Sequence, residues 1–115
     1  MIEIVFPDDG LERLAFLTAA KHLFLQCLQQ RKSVLGELHP STLATMNNLG
    51  IVYVKLGDLE TAESFHSDCL NKREIAFGEH HPFTSKSRKH LARVYSKQGR
   101  KEKGKKLYSN HVVNK

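Results

Sequence analysis

The sequence of 115 residues is poor in features that mark several common protein classes: it has no tryptophan, two cysteines and three prolines. No apolar run approaches the about 18 residues that a membrane-spanning helix needs. The first ten residues are acidic and contain Pro7, which does not fit a secretory or transit peptide. These absences predict a soluble domain in the cytoplasm, with the nucleus as the alternative.

Acidic residues are scarce in the C-terminal part of the chain. Residues 80–115 contain eleven Lys and Arg but one acid, Glu102, whereas residues 1–79 contain seven Lys and Arg and eleven Asp and Glu. The charge balances of the two parts are therefore +10 and −4, which together give the net charge of +6. Such asymmetry indicates an anionic partner for the C-terminal part.

The sequence does contain an internal repeat with a period of 42 residues. The segment 36–42 (GELHPST) returns as 78–84 (GEHHPFT). Later positions recur as well: Leu49, Val52, Tyr53, Lys55, Gly57 and Glu60 reappear as Leu91, Val94, Tyr95, Lys97, Gly99 and Glu102. Earlier positions are related in the same way: Ala20, Cys27, Leu28 and Arg31 precede Ala62, Cys69, Leu70 and Arg73. A period of this length predicts stacked helical units, which build extended binding surfaces and rarely a catalytic pocket.

The spacing of apolar residues predicts an all-α fold of five antiparallel helices, at 11–35, 40–56, 59–77, 82–98 and 101–113. Pro40 suits the first turn of a helix, and Gly36, Gly57 and Asp58 suit helix ends. We predict an irregular segment at 1–10, which is either a short extended arm or the damaged end of an earlier repeat. One domain follows at 11–115, divided into an unpaired helix (11–35), a first repeat (36–77) and a second repeat (78–115). The predicted core extends to outlying apolar positions, namely Leu14, Val34, Leu35, Ala76, Tyr108 and Val112.

The two cysteines, Cys27 and Cys69, occupy the same position of adjacent units. Equivalent positions of packed helices lie about 10 Å apart, which is too far for a disulfide. We therefore interpret both as small buried residues in a reducing compartment.

The pattern within one unit resembles that of the tetratricopeptide repeat. Asn48-Leu49-Gly50, Tyr53, Gly57-Asp58 and Ala62 carry the resemblance, and the 42-residue period with its Gly-x-x-His-Pro loop is similar to the kinesin-light-chain and nephrocystin-like repeat type. The second unit departs from the pattern, because Ala92 and Gly104 stand where Gly50 and Ala62 stand in the first. The resemblance implies a right-handed superhelical stack of helix hairpins that binds protein partners and is not an enzyme.

The resemblance also implies that the first helix of each unit lines a concave groove for an extended peptide. The matching positions are Ala44, Asn47, Ile51, Val54 and Lys55 in the first unit and Lys86, Lys89, Arg93, Ser96 and Lys97 in the second, and Asn48 joins Asn47 as a candidate partner of the peptide backbone. The predicted peptide-binding residues are Asn47, Asn48, Ile51, Lys55, Lys86, Lys89, Arg93 and Lys97. Independently of any family, the last four of these are spaced by three, four and four residues, so they form one stripe of a helix. This stripe predicts an acidic peptide as ligand, and the alternative interpretation is an ordinary solvated face.

A second basic cluster follows at the last turn, formed by Arg100, Lys101, Lys103, Lys105 and Lys106. Such a cluster is typical of nuclear localisation signals and phosphate-backbone contacts. It contains no aromatic residue to stack on a base, and Tyr108 is expected to pack inward. Nucleic acid or phospholipid is therefore the alternative partner, and a polar cap on the stack is the simplest interpretation.

The seven histidines do not predict a metal site. His39 and His81 belong to the repeated loop, and His80 has no second ligand at helical spacing. No nucleophile or acid–base pair is evident, so we expect no cofactor and no catalysis.

Two and a half units are fewer than the about three that repeat proteins need for stability. The unpaired helix 11–35 should also expose one apolar flank. The chain is therefore expected either to self-associate through an exposed repeat end or to be a structural piece of a longer array without its own ligand.

Overall fold

The structure, a computed structural model, describes the backbone of residues 10–113 and the side chains of residues 10–108. It contains five helices: α1 (Gly10–Leu35), α2 (Pro40–Leu56), α3 (Leu59–Phe77), α4 (Pro82–Lys97) and α5 (Lys101–Val113). No strand occurs between residues 10 and 113. The all-α prediction is confirmed, and the helix boundaries differ from the predicted ones by at most one residue. Of the predicted arm, only Gly10 lies within the described residues, and it begins α1.

The repeated loop works as a helix cap. In each copy the histidine before the proline uses its Nδ1 atom to accept a hydrogen bond from a backbone N–H: His39 from Ser41 at 3.1 Å, and His81 from Phe83 at 3.0 Å. Pro40 follows His39 at the first helical position, where its missing N–H costs no hydrogen bond. The two loop histidines are therefore explained by capping.

The turn within the first repeat is also as predicted. Gly57 ends α2 with a φ of 85°, a left-handed conformation that favours glycine. Asp58 then caps α3, because its carboxylate accepts a hydrogen bond from the N–H of Thr61 at 3.1 Å. This hydrogen bond lowers the pKa of Asp58.

The hydrophobic core lies between helices that are consecutive in the chain. Each helix packs on the next one along the chain, and α2 also approaches α4. A first cluster joins α1, α2 and α3, and a second joins α3 to α4. The first consists of Leu28, Leu43, Met46, Leu49 and Cys69, and the second of Leu70, Leu91 and Tyr95.

A repeated arginine tie supports this packing. Arg31 on α1 donates from Nη1 to Thr45 Oγ1 on α2 at 2.6 Å. One period later, Arg73 on α3 donates from Nη1 to Ser87 Oγ at 2.9 Å and to the Phe83 carbonyl oxygen at 3.1 Å on α4. Each arginine therefore joins the second helix of one unit to the first helix of the next.

The predicted core is wrong at its outer edges. Leu14, Val34, Leu35, Ala76 and Tyr108 are exposed, and Val112 lies outside the described side chains. The α1 residues are exposed because, among the described helices, α1 packs against α2 alone. The same reason leaves Cys27 half-buried, whereas Cys69 is fully buried, and burial raises the pKa of its thiol.

Candidate functional site

A cleft of about 410 Å³ lies where α2 and α4 run side by side above α3. Three helices contribute to this α2–α4 cleft, whose lining residues are Ile51, Val54, Lys55, His66, His90, Arg93 and Lys97. Its walls therefore combine two aliphatic side chains and two imidazole rings with three cations.

The structure brings four of the eight predicted groove residues together in this cleft: Ile51, Lys55, Arg93 and Lys97. Asn48, Lys86 and Lys89 are exposed on their helices but do not line it. Asn47 is buried one turn before Ile51, on the same face of α2. Its amide oxygen has no hydrogen-bond partner among the described residues. The two asparagines therefore differ: one is an enclosed acceptor, and the other is solvated.

The cationic side chains of this face lack ion-pair partners among the described residues. Within residues 10–108, no side-chain hydrogen bond or ion pair is made by these cations, which are Lys55, Lys86, Lys89, Arg93 and Lys97. Elsewhere cations do have partners, since Lys72 contacts Glu37 at 2.8 Å and Arg100 contacts Glu63 at 2.9 Å. The positive charge on this face is therefore left without compensation from the described part of the chain.

Two histidines in the cleft were missed by sequence reasoning. His66 of α3 is 1% exposed, and its ring stacks on that of His90 of α4, with centroids 5.0 Å apart and planes 7° from parallel. The ring also lies against the backbone of α2 at Gly50, where an added Cβ would come within 2.4–2.7 Å of it. His66 therefore fills the space that the missing side chain of Gly50 leaves.

This environment keeps the histidine pair neutral. Burial lowers the pKa of His66 to about 4, and the nearby His90 and Arg73 act in the same direction. The pKa of His90 is also lowered, first by burial and then by Arg93, Lys86 and Arg73. At neutral pH the wall of the cleft is therefore uncharged aromatic surface beneath a cationic rim.

One signal in the sequence pointed to this arrangement. Gly50 lies inside a helix, where glycine costs about 0.5–1 kcal/mol relative to alanine. Such a cost indicates that another group approaches the backbone closely. The sequence does not say which group, because His66 lies on a different helix.

The basic cluster of α5 is partly engaged within the fold. Arg100 donates to Glu63 at 2.9 Å and lies 4.9 Å from the ring centroid of the buried Tyr95. Lys103 lies 5.1 Å from the same ring, and Lys105 contacts Glu102 at 3.4 Å. The remaining members, Lys101 and Lys106, are exposed. This cluster therefore presents less free charge than its sequence indicates.

No metal centre is evident in the described part of the chain, where no group of three or more His, Cys, Asp or Glu side chains converges. The stacked imidazoles of His66 and His90 do not change this, because ring nitrogens bind metals in the plane of the ring. Among residues 10–113, none of the helices has the length and apolarity to cross a membrane.

The family follows from comparison with known proteins. The model of the tetratricopeptide repeat matches residues 11–75, which is more than half of the chain. The chain belongs to the tetratricopeptide repeat family. Repeats of this family generally mediate protein–protein interaction, and the family is typically non-enzymatic. No curated protein gives a match. The matched residues end within α3, so the cationic helix α4 lies beyond them.

Proposed function

We propose that this tetratricopeptide repeat chain is a non-enzymatic adaptor that binds an extended acidic segment of a partner protein. The segment would lie in the α2–α4 cleft and continue along the α4 stripe of Lys86, Lys89, Arg93 and Lys97. The observation that carries the proposal is the uncompensated charge of this face. Like charges at helical spacing destabilise a helix, and an anionic ligand removes that cost.

The chemistry of the cleft supports recognition of a peptide. Arg93 presents a planar fork that suits a carboxylate, and Lys55 and Lys97 provide adaptable charges in the same cleft. Ile51 gives apolar contact area. Asn47 is not part of the proposed contact, because its amide oxygen is buried and the residue does not line the cleft.

The strength of the electrostatic contacts determines how tightly the acidic peptide is expected to bind. Exposed ion pairs stabilise by about 0–1 kcal/mol each, and salt screens them. Four such pairs supply at most about 4 kcal/mol, which is about half of what a micromolar dissociation constant requires. We therefore expect a weak, salt-sensitive complex.

A second candidate is an anion-binding module for nucleic acid or phospholipid through the α5 cluster. One observation favours it: Tyr108 is 42% exposed and lines a shallow groove with Lys101 and Lys105, so an aromatic ring is available beside the charge. A third candidate is a structural part of a longer array with no ligand.

The proposal has three further parts. The kinesin-light-chain or nephrocystin-like repeat type rests on the 42-residue period and the His-Pro loop. A cytoplasmic location, with the nucleus as the alternative, is supported by the free thiols of Cys27 and Cys69. Self-association through a repeat end is supported by exposed apolar residues on α1.

A competition experiment separates the candidates. A fluorescent acidic peptide bound to the chain is displaced by unlabelled peptide or by single-stranded oligonucleotide of equal charge, and anisotropy is recorded at physiological salt. We expect the peptide to compete better, and Lys89→Glu/Arg93→Glu to weaken binding at least about tenfold.

The matched control is Arg13→Glu/Lys32→Glu, which makes the same change of net charge with exposed cations of α1. An equal loss in the control would show a non-specific charge effect. If the oligonucleotide competes better and Lys103→Glu/Lys106→Glu abolishes binding, the α5 cluster is the site. If no anion binds, the structural candidate stands.

A further inference from the structure

An apolar stripe on α1 is uncovered. Phe16, Leu23 and Val34 are 74%, 62% and 80% exposed. Together with Ala20, Cys27 and Gln30 they recur at alternating spacings of four and three residues, which places all six on one face of the helix. We refer to these six residues as the α1 seam.

The repeat itself shows that this face is a packing surface. Positions 20, 23 and 27 of α1 correspond to Ala62, Phe65 and Cys69 of α3. On α3 this face is covered by α2: Cys69 Sγ lies 3.4 Å from the Leu43 carbonyl oxygen, and Phe65 stacks on Tyr53. Within the described residues, α1 has no helix in that place. The central positions of the α1 seam, Ala20, Leu23 and Cys27, therefore correspond to a surface that packs against a helix on α3.

The charges on and around the α1 seam indicate which helix can pack against it. The seam has no charged residue, and the positions that flank it on the solvent side, Ala19, Gln26 and Ser33, are also uncharged. A twofold interface brings each surface patch against its own copy, so a charged patch would face like charge. An uncharged apolar stripe is complementary to itself.

The distribution of charge over the chain also favours pairing of two copies through α1 rather than through α5. Residues 80–115 hold the charge balance of +10, and α2 and α3 separate α1 from α4 and α5. Pairing through α1 keeps the basic parts of two copies apart, whereas pairing through α5 would bring them together.

We propose that the α1 seam packs against the α1 seam of a second copy, with the two helices antiparallel. This inference rests on the proposed self-association and names its surface. Adjacent helices of this fold are antiparallel, and the second copy's α1 would take the place on α1 that α2 takes on α3. The alternating spacing then sets Leu23 opposite the second copy's Cys27, and Phe16 opposite its Val34. The α2–α4 cleft is not part of this contact.

Sedimentation of the full chain over a range of concentrations tests the proposal, with Leu23→Glu as the variant. We expect a reversible dimer, and a loss of affinity of at least about 30-fold in Leu23→Glu because a charge would be buried at the centre of the contact. The matched control is Leu11→Glu, at an exposed leucine of the same helix outside the seam, which should dimerise normally.

Three results would overturn the inference. A monomer at all concentrations removes self-association itself. A dimer that Leu23→Glu does not weaken, or that Leu11→Glu weakens equally, leaves self-association standing but places it elsewhere on the chain. Peptide affinity is measured separately, and its failure has no bearing on the seam.

Disulfide crosslinking gives an independent readout of the orientation. In the antiparallel pair, Leu23→Cys should form an intermolecular disulfide with Cys27 under mild oxidation, while the unchanged chain stays uncrosslinked because its Cys27 residues are not opposite each other. Efficient crosslinking of the unchanged chain through Cys27 would instead indicate a parallel pair and overturn the proposed geometry. Cys69 is fully buried and does not interfere.

Discussion

The two repeats use the same pair of positions in different ways. In the first repeat the pair is Gly50 and His66, and the imidazole is buried against the α2 backbone. In the second repeat the equivalent pair is Ala92 and Tyr108, and the phenol ring is 42% exposed. Here α5 approaches α4 through another small residue, since a Cβ on Gly104 would lie 3.3 Å from the Ala92 carbonyl oxygen.

This difference changes the surface that each repeat presents. The buried ring of His66 extends beyond its own repeat and stacks on the ring of His90 of α4. The two stacked rings form the wall of the α2–α4 cleft. Tyr108 remains beside Lys101 and Lys105 at the edge of a shallow groove. The first repeat, which has Gly50, therefore has a buried ring in the cleft wall. The second repeat, which has the methyl group of Ala92 at the equivalent position, has an exposed ring.

The largest expected effect comes from giving Gly50 the side chain of its counterpart. Gly50→Ala places a methyl group in contact with the His66 ring, and overpacking of this kind destabilises by about 1–3 kcal/mol. The higher helix propensity of alanine offsets at most about 1 kcal/mol of this loss. Urea unfolding gives the free energy of unfolding. In a His66→Ala background the clash is absent, so the same change should be neutral or stabilising. A stabilising effect of Gly50→Ala alone would contradict the observed packing.

The next largest effect is a dependence of the chain's stability on pH. We expect it because His66 of the first repeat is buried. The pKa of His66 is about 4 in the folded chain and 6.5 when unperturbed. The unfolded chain therefore takes up a proton first, and stability is retained above pH 6.5 and lost as the pH falls from 6.5 towards 4. Between pH 7 and pH 5 the loss from this group is about 2 kcal/mol. His90, whose pKa is also lowered, acts in the same direction.

Urea midpoints at pH 7 and pH 5 measure this dependence. His66→Gln removes the titrating group and should reduce the difference between the two midpoints, whereas His22→Gln, at an exposed histidine of α1, should leave it unchanged. If His66→Gln retains the full pH dependence, the buried imidazole is not its source.

The smallest effect is expected in the second repeat. Ala92→Gly should destabilise by about 0.5–1 kcal/mol through helix propensity alone. If the methyl group is what keeps Tyr108 outside, the ring should also approach α4 in this variant. Nitration of Tyr108, followed by mass spectrometry, should then become slower. An unchanged rate would mean that the exposure of Tyr108 has another cause than Ala92.

Much of the fold is predictable because its determinants are local. Pro40, Gly57 and Asp58 fix helix ends through their own backbone geometry and side chains, so the predicted and observed helix boundaries agree. The stripe of Lys86, Lys89, Arg93 and Lys97 follows from helical spacing alone. Burial at the edges of the stack was predicted wrongly. Leu14, Val34 and Tyr108 are apolar or aromatic, but no helix among residues 10–113 covers them.

The sequence by itself determined the number, type and ends of the helices, the period of 42 residues and the position of the basic stripe. Each of these depends on residues within about one turn of one another or on a direct comparison of sequence segments. Only the tertiary structure decided that Asn47 is an enclosed acceptor, that His66 lies between Gly50 and His90, and that Arg100 is engaged by Glu63. These features depend on which faces of different helices meet, and that geometry is set by packing across the whole stack.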